Sequence, residues 1–200
     1  MRKLLIAAGI AVVIVAALLT WQLVNRSEDV AVKIVPQQDY AVAGVEFFLQ
    51  NDPQWTDELL GNSPYRMGGS GCLVCCIAAS LEAQGFDTDP ARLNAAFSEH
   101  GVYNSEGEVL WSKIAQAVPG VRVVLPNRID TERLEEAVAQ SLFPIVKVKY
   151  MGSGYQHWVM IIGASDGDYL CMDPLNADNE PLPLSAHGGM IYRYRIVTLE

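Results

Sequence analysis

The apolar pattern of this chain changes period at Pro144, and that change constrains the fold more than any other feature. Upstream, apolar residues recur at helical spacing: Leu93, Ala96 and Phe97 after Asp89-Pro90, Leu110, Ile114 and Val118 between residues 108 and 118, and Leu134, Ala137 and Val138 after Asp130. Each set predicts a helix with one apolar face. Asp89 is suited to an N-cap and Pro90 to the first helical position, where its missing N–H is not needed. Downstream, residues 145–150, 157–164, 168–173 and 190–199 are rich in β-branched and aromatic side chains and are separated by Gly, Asp, Asn and Ser. These predict strands, and residues 121–125 add a short one among the helices. A helical half packed on an antiparallel sheet is an α+β architecture.

A second feature decides where that domain lies. Residues 4–23 are apolar and uncharged. At about 1.5 Å per residue a helix of this length crosses a hydrocarbon core of about 30 Å. Arg2 and Lys3 precede it, so the positive-inside bias puts the remainder of the chain on the extracytoplasmic side. The segment Thr20-Trp21-Gln22-Leu23-Val24 offers no small-residue cleavage site, which favours a retained anchor over a cleaved signal. The predicted organisation is an anchor at 1–24, a linker at 25–44 and one domain at 45–200, a length sufficient for a sizeable core. The formal net charge of −9 argues against nucleic acid as a partner.

Three residues suggest chemistry. Cys72 follows Met67-Gly68-Gly69-Ser70-Gly71 and opens an apolar run to Leu81, so it reads as the first residue of a helix that starts on a glycine-rich turn. A helix N-terminus offers unpaired N–H groups and the positive end of its dipole, both of which favour a thiolate. His157 begins one predicted strand and Asp173 ends the next. Ser165-Asp166-Gly167-Asp168 between them carries an Asp-Gly hairpin signal. Folding about that turn makes His157 and Asp173 cross-strand neighbours to within a residue or two of register. A carboxylate beside an imidazole fixes its orientation and tautomer, as a catalytic base requires.

The segments Phe48-Leu49-Gln50-Asn51-Asp52-Pro53-Gln54-Trp55, Gly71-Cys72, Gln156-His157-Trp158-Val159 and Met172-Asp173-Pro174 resemble, in order and spacing, the motifs of a peptidase family similar to the bacteriocin-processing, double-glycine cysteine peptidases of the papain clan. The resemblance spans nearly all of residues 45–200 and implies a papain-like fold, a bacterial source and no metal or organic cofactor. It implies Cys72 as nucleophile, His157 as general base and acid, and Asp173 as the residue orienting His157. A papain-like oxyanion hole takes one donor from an upstream Gln. Arg66 stands where the processing enzymes place that residue, so Gln50 is the candidate and Gln54 the reserve. The chain also departs from the family in following Gly-Cys with Leu73, Val74, Cys75 and Cys76. A peptide, a leader sequence or a cell-wall cross-link would present a suitable amide.

Other readings compete. Cys72-Leu73-Val74-Cys75 fits the Cys-x-x-Cys of thiol–disulfide oxidoreductases, although residues 61–71 are turn-like where such proteins place a strand. An inactive binding module on the same fold is a further alternative. Cys75, Cys76 and Cys171 read as core residues. His100 reads as a helix-end residue, His187 as an exposed loop residue, and Trp55 and Trp111 as packing residues. Trp158 fits either a shield for His157 or the groove wall. No compact four-ligand spacing supports zinc.

Overall fold

The strand-rich half builds a sheet whose order, among the described residues, is not the order of the chain. The computed structural model describes residues 30–200. Its strands are β1 (Val32–Lys33), β2 (Val121–Val124), β3 (Ile145–Lys149), β4 (Gln156–Ser165), β5 (Asp168–Met172), β6 (Leu182–Pro183), β7 (Met190–Ile191) and β8 (Arg193–Leu199). Six of them form an antiparallel sheet in the order β2-β8-β3-β4-β5-β6, and β1 pairs separately with β7. The helices are α1 (Met67–Ser70), α2 (Cys72–Glu82), α3 (Pro90–Glu99), α4 (Ile114–Ala117) and α5 (Thr131–Ala139). The compact unit runs from Ala31 to Glu200. The predicted anchor at residues 4–23 lies outside the described residues, and among those described no helix is long and apolar enough to cross a membrane.

Helix α2 is central because it has almost no polar face. Residues Leu73 to Leu81 are all buried. Cys76, Ile77 and Leu81 share one core cluster with Ile145, Met160, Ile162 and Val197 of the sheet. The alternate strand residues Val146, Val148, Val159, Ile161 and Ile196 point the other way and pack with Leu134 and Val138 of α5. The sheet is thus covered on both faces, which explains why β4 is apolar without alternation.

The capping signals act as read. Asp89 accepts the Arg92 N–H at 2.8 Å and Asp130 accepts the Arg133 N–H at 3.1 Å. The helix expected over 108–118 is shorter than its periodicity suggests: a 3-10 turn at Trp111–Lys113 leads into α4. Leu110 N–H donates instead to Val102 O at 2.7 Å, and Tyr103 bridges Val109, so residues 102–110 fold as a cross-tied loop. The strand expected over 190–199 breaks at Tyr192, whose N–H turns to Lys147 O.

Much of the span read as a linker is packed. Val32 pairs with Ile191, Tyr40 N–H donates to Ala164 O and Ala43 N–H to Ile162 O, both at 2.9 Å. The buried Glu135 of α5 secures this segment by accepting from Gln37 N–H at 3.0 Å and Tyr40 Oη–H at 2.8 Å, and it also accepts from Tyr169 Oη–H. Among the described residues, packing therefore reaches back past residue 45 to Val32. Val, Tyr and Ala in that stretch lack a period because they serve single contacts instead of one continuous face.

Candidate active site

Gly71 joins α1 to α2 end to end. A Cβ at that position would lie 2.6 Å from Met67 O and 2.9 Å from Met67 Sδ, so only glycine allows so close an approach. The next residue, Cys72, is the first of α2 and is half-buried. Its amide and the ones that follow open the helix, and the positive end of the helix dipole lies at its thiol.

The phase of β4 against β5 decides whether His157 meets Asp173. At the turn Ser165 pairs with Asp168, and Asp166 and Gly167 both take positive φ, 55° and 77°, as a two-residue hairpin of the I′ type requires. Carried unbroken, that register would set Asp173 opposite Met160, three residues from His157 and on the other face. A bulge between Ile161 and Gly163 shifts it, so Met172 pairs with Met160. Asp173 then falls opposite Val159, two residues from His157 and on its face. The two side chains meet diagonally: His157 Nε2 lies 2.6 Å from Asp173 Oδ1. Gly163 belongs to the same feature, because a Cβ there would stand 2.8 Å from Val42 Cα where residues 40–43 cross the strand.

The Cys72 side chain lines the same cleft as His157 and lies near enough to favour its charged form. With Nε2 engaged by Asp173, Nδ1 is the nitrogen left for the thiol. Burial alone disfavours the imidazolium, but the hydrogen bond to Asp173 and the negative charge of Cys72 and Asp173 outweigh it and raise the His157 pKa to about 9. Burial likewise works against the Asp173 carboxylate. His157, His187 and the Leu175 N–H, which donates to Oδ1 at 2.9 Å, overcome it and hold the acid far below the usual carboxylate range.

His187, expected in an exposed loop, is buried instead. It ends a 3-10 turn, Leu184–His187, and Gly188 follows in the left-handed region at φ 83°. Its Nε2 lies 3.2 Å from Asp173 Oδ2 and its Nδ1 accepts the Met151 N–H at 3.2 Å. Tyr150 presents its edge to His157 at 5.6 Å and stacks on Tyr155 at 5.4 Å, forming a wall beside the imidazole. Neither His187 nor Tyr150 was visible from spacing: each reaches the site through contacts between separate turns. Gly152 and Gly188 were the available signal that two backbones approach there.

Cys72 and His157 line a cleft of about 570 Å³ that also includes Gln50, Trp111, Trp158 and Tyr155. Gln50 Nε2 donates to Gly68 O at 2.8 Å, and its backbone N–H donates to Pro174 O at 2.9 Å, tying the residue to both sides of the site. Arg66 and Gln54 do not line the cleft, and Arg66 is directed to the carbonyl of Asp57. Trp158 packs edge-on with Trp111 at 6.1 Å and belongs to the cleft wall. Cys75, Cys76 and Cys171 are buried, and burial pushes all three thiols up. Among the described residues, no group of three His, Cys, Asp or Glu has the geometry of a metal site.

No family model matches the chain, and no curated protein does. The fold is nonetheless recognisable. A provisionally assigned C39-like peptidase from Bacillus anthracis, known from its crystal structure, superposes with a TM-score of 0.55 at 15% identity, over 82% of this chain and 99% of that one. The chain has a C39-like peptidase fold. Its mixed architecture, with helices on an antiparallel sheet, matches that structure. At this identity the C39-like likeness establishes architecture, and the chemistry has to be argued from the side chains.

Proposed function

We propose that the protein is a membrane-anchored, extracytoplasmic cysteine peptidase or related amide hydrolase acting through Cys72, His157 and Asp173. The observation that carries this reading is the buried His157–Asp173 pair, 2.6 Å apart, with His157 and Cys72 in the wall of the same open cleft. The extracytoplasmic placement rests on the apolar segment 4–23 and the basic residues before it.

In the proposed reaction the Cys72 thiol passes its proton to His157 and becomes the thiolate, and Asp173 keeps the ring oriented. The thiolate attacks the carbonyl carbon of the amide, and the carbonyl oxygen takes the negative charge. The Cys72 backbone N–H and one hydrogen of Gln50 Nε2 stabilise that oxyanion. His157 gives the Nδ1 proton to the nitrogen as the C–N bond breaks, leaving a thioester on Cys72 and a free amine. The neutral ring then takes a proton from water, the hydroxide attacks the thioester, and the acid departs with the thiolate restored.

Substrates with a peptide bond, whether in a polypeptide or in a cell-wall cross-link, meet these requirements. A Cys72–Cys75 redox pair fits the same residues less well, because the Cys75 thiol is buried and pushed away from its reactive form. The test is to treat the full-length protein in detergent with a thioester of a small acylated amino acid and look for a mass increase on intact protein. Acylation confined to Cys72, lost in Cys72→Ala and His157→Ala, supports the peptidase. A folded protein that binds such compounds and never acylates would point to a binding module on this fold.

A further inference from the structure

Asp173 serves two imidazoles, one on each carboxylate oxygen. Oδ1 faces His157 and Oδ2 faces His187. Three facts argue that the second contact is built for a purpose. First, the tautomer of His187 is set from behind: its Nδ1 accepts the Met151 N–H, so that nitrogen carries no proton and the hydrogen resides on Nε2, toward Asp173. Second, Nε2 is completely buried and has no well-aligned hydrogen-bond acceptor among the described residues, so the nearby Oδ2 is the group it serves. Third, the backbone bends to make this possible. Met151 occupies the left-handed region at φ 50°, which non-glycine residues seldom adopt. Gly188 approaches Gly152 so closely that a Cβ on it would stand 3.3 Å from Gly152 Cα.

We propose that His187 is a positioning residue: a neutral imidazole that fixes the Asp173 carboxylate through Oδ2 so that Oδ1 stays aimed at His157. The proposal rests on the peptidase reading of the Cys72, His157 and Asp173 site. A carboxylate held only at Oδ1 would retain freedom about χ2 and turn away from the imidazole for part of the time. Contact at both oxygens removes that freedom. A neutral donor suits the task, because a cation at the same place would neutralise the charge that Asp173 supplies to His157.

The groups facing His187 are Asp173, His157, whose ring centre is 5.9 Å away, and Tyr150, also at 5.9 Å. On the strand beside its turn, Asp168 is occupied by the Ser185 N–H at 3.2 Å. Asp173 is therefore the anionic group in direct contact with the ring.

The chain has three histidines, so full-length protein labelled with 15N only in histidine gives a readable imidazole spectrum. His187 is expected as the Nε2–H tautomer at neutral pH, and a Nδ1–H tautomer or an imidazolium there overturns the proposal. His187→Leu should lower the His157 titration midpoint by about one pH unit, and His187→Gln, which keeps a donor near the Nε2 position, should restore most of it. In an Asp173→Asn background His187→Leu should cause no further shift. A folded His187→Leu protein with an unmoved His157 midpoint, or a Gln variant as perturbed as the Leu variant, would sink the idea. None of these readings needs turnover. If the protein hydrolyses nothing, only the peptidase reading fails. If it hydrolyses amides while the His187 variants leave His157 unmoved, only the positioning role fails.

Discussion

His157 Nε2 and Asp173 Oδ1 stand 2.6 Å apart, with both side chains almost wholly removed from water. The contact sets the upper pH limit of the proposed reaction. The leaving amine needs the His157 proton, and His157 holds it up to a pKa of about 9. Activity should therefore persist through neutral pH and fall as pH rises through about 9. In Asp173→Asn the burial penalty remains while only Cys72 is left to oppose it, so the limit should fall from about 9 toward the value of an unperturbed imidazole. A pH profile of acylation rate on the two proteins checks this, and an unmoved limit would separate Asp173 from the chemistry.

The same pair has consequences for stability, of opposite sign for its two members. His157 is raised on folding, so its contribution is full below its unfolded value and is lost as pH rises through about 9. Asp173 is lowered, so its contribution is present above its unfolded value of about 3.9 and declines as pH falls below that. Thermal unfolding across pH should show a plateau near neutrality that slopes down at both ends. Asp173→Asn should flatten both slopes.

Several parts of this arrangement were legible in the sequence, for reasons that differ by residue. Cys72 was visible because a glycine turn and an apolar run are local signals, and β3, β4 and β5 were visible as segments because their residues favour pleated surfaces. His157 and Asp173 could be paired only to within a residue or two. The bulge at Ile162 that corrects their phase leaves no composition signal beyond Gly163. The helix over 108–118 was overestimated because Leu110 is spaced as a helical residue and yet pairs with Val102. His187 was misplaced because its burial comes from the Gly152–Gly188 approach, which joins turns far apart in the chain.

Cys75 separates hydrolysis from disulfide exchange. Its thiol is buried one helical turn beyond Cys72. Cys75→Ser should leave acylation of Cys72 within about threefold of the parent and cost about 1–3 kcal/mol of stability for the buried hydroxyl. A full loss of acylation in a folded variant would move Cys75 into the mechanism and favour the redox reading.

Glu135 offers a test of the N-terminal packing. It accepts the Gln37 N–H and the hydroxyls of Tyr40 and Tyr169, and so links α5 and β5 to the segment that enters the domain. Glu135→Ala leaves these donors without their charged acceptor and should lower the unfolding free energy by about 3 kcal/mol. Limited proteolysis should then cut first between residues 31 and 44. Resistance equal to the parent would mean that the β1–β7 and Tyr40–Ala164 pairings suffice to hold it.

Gln50 is the remaining choice for the oxyanion donor. It lines the cleft, its Nε2 uses one hydrogen on Gly68 O, and its backbone is fixed to Pro174 O, the residue after Asp173. The second Nε2 hydrogen is the one available to a developing oxyanion. Gln50→Ala should lower kcat by about 10²–10³-fold, the cost of removing one such donor. KM should change much less, because the interaction forms chiefly in the transition state. Gln50→Glu makes the stricter comparison: it keeps size and burial, loses the donor and adds a charge that repels the oxyanion, so it should be at least as impaired. Gln54, outside the cleft, serves as the control, and Gln54→Ala should match the parent. Should Gln50→Ala retain full kcat, the oxyanion would have to be held by the α2 amides alone.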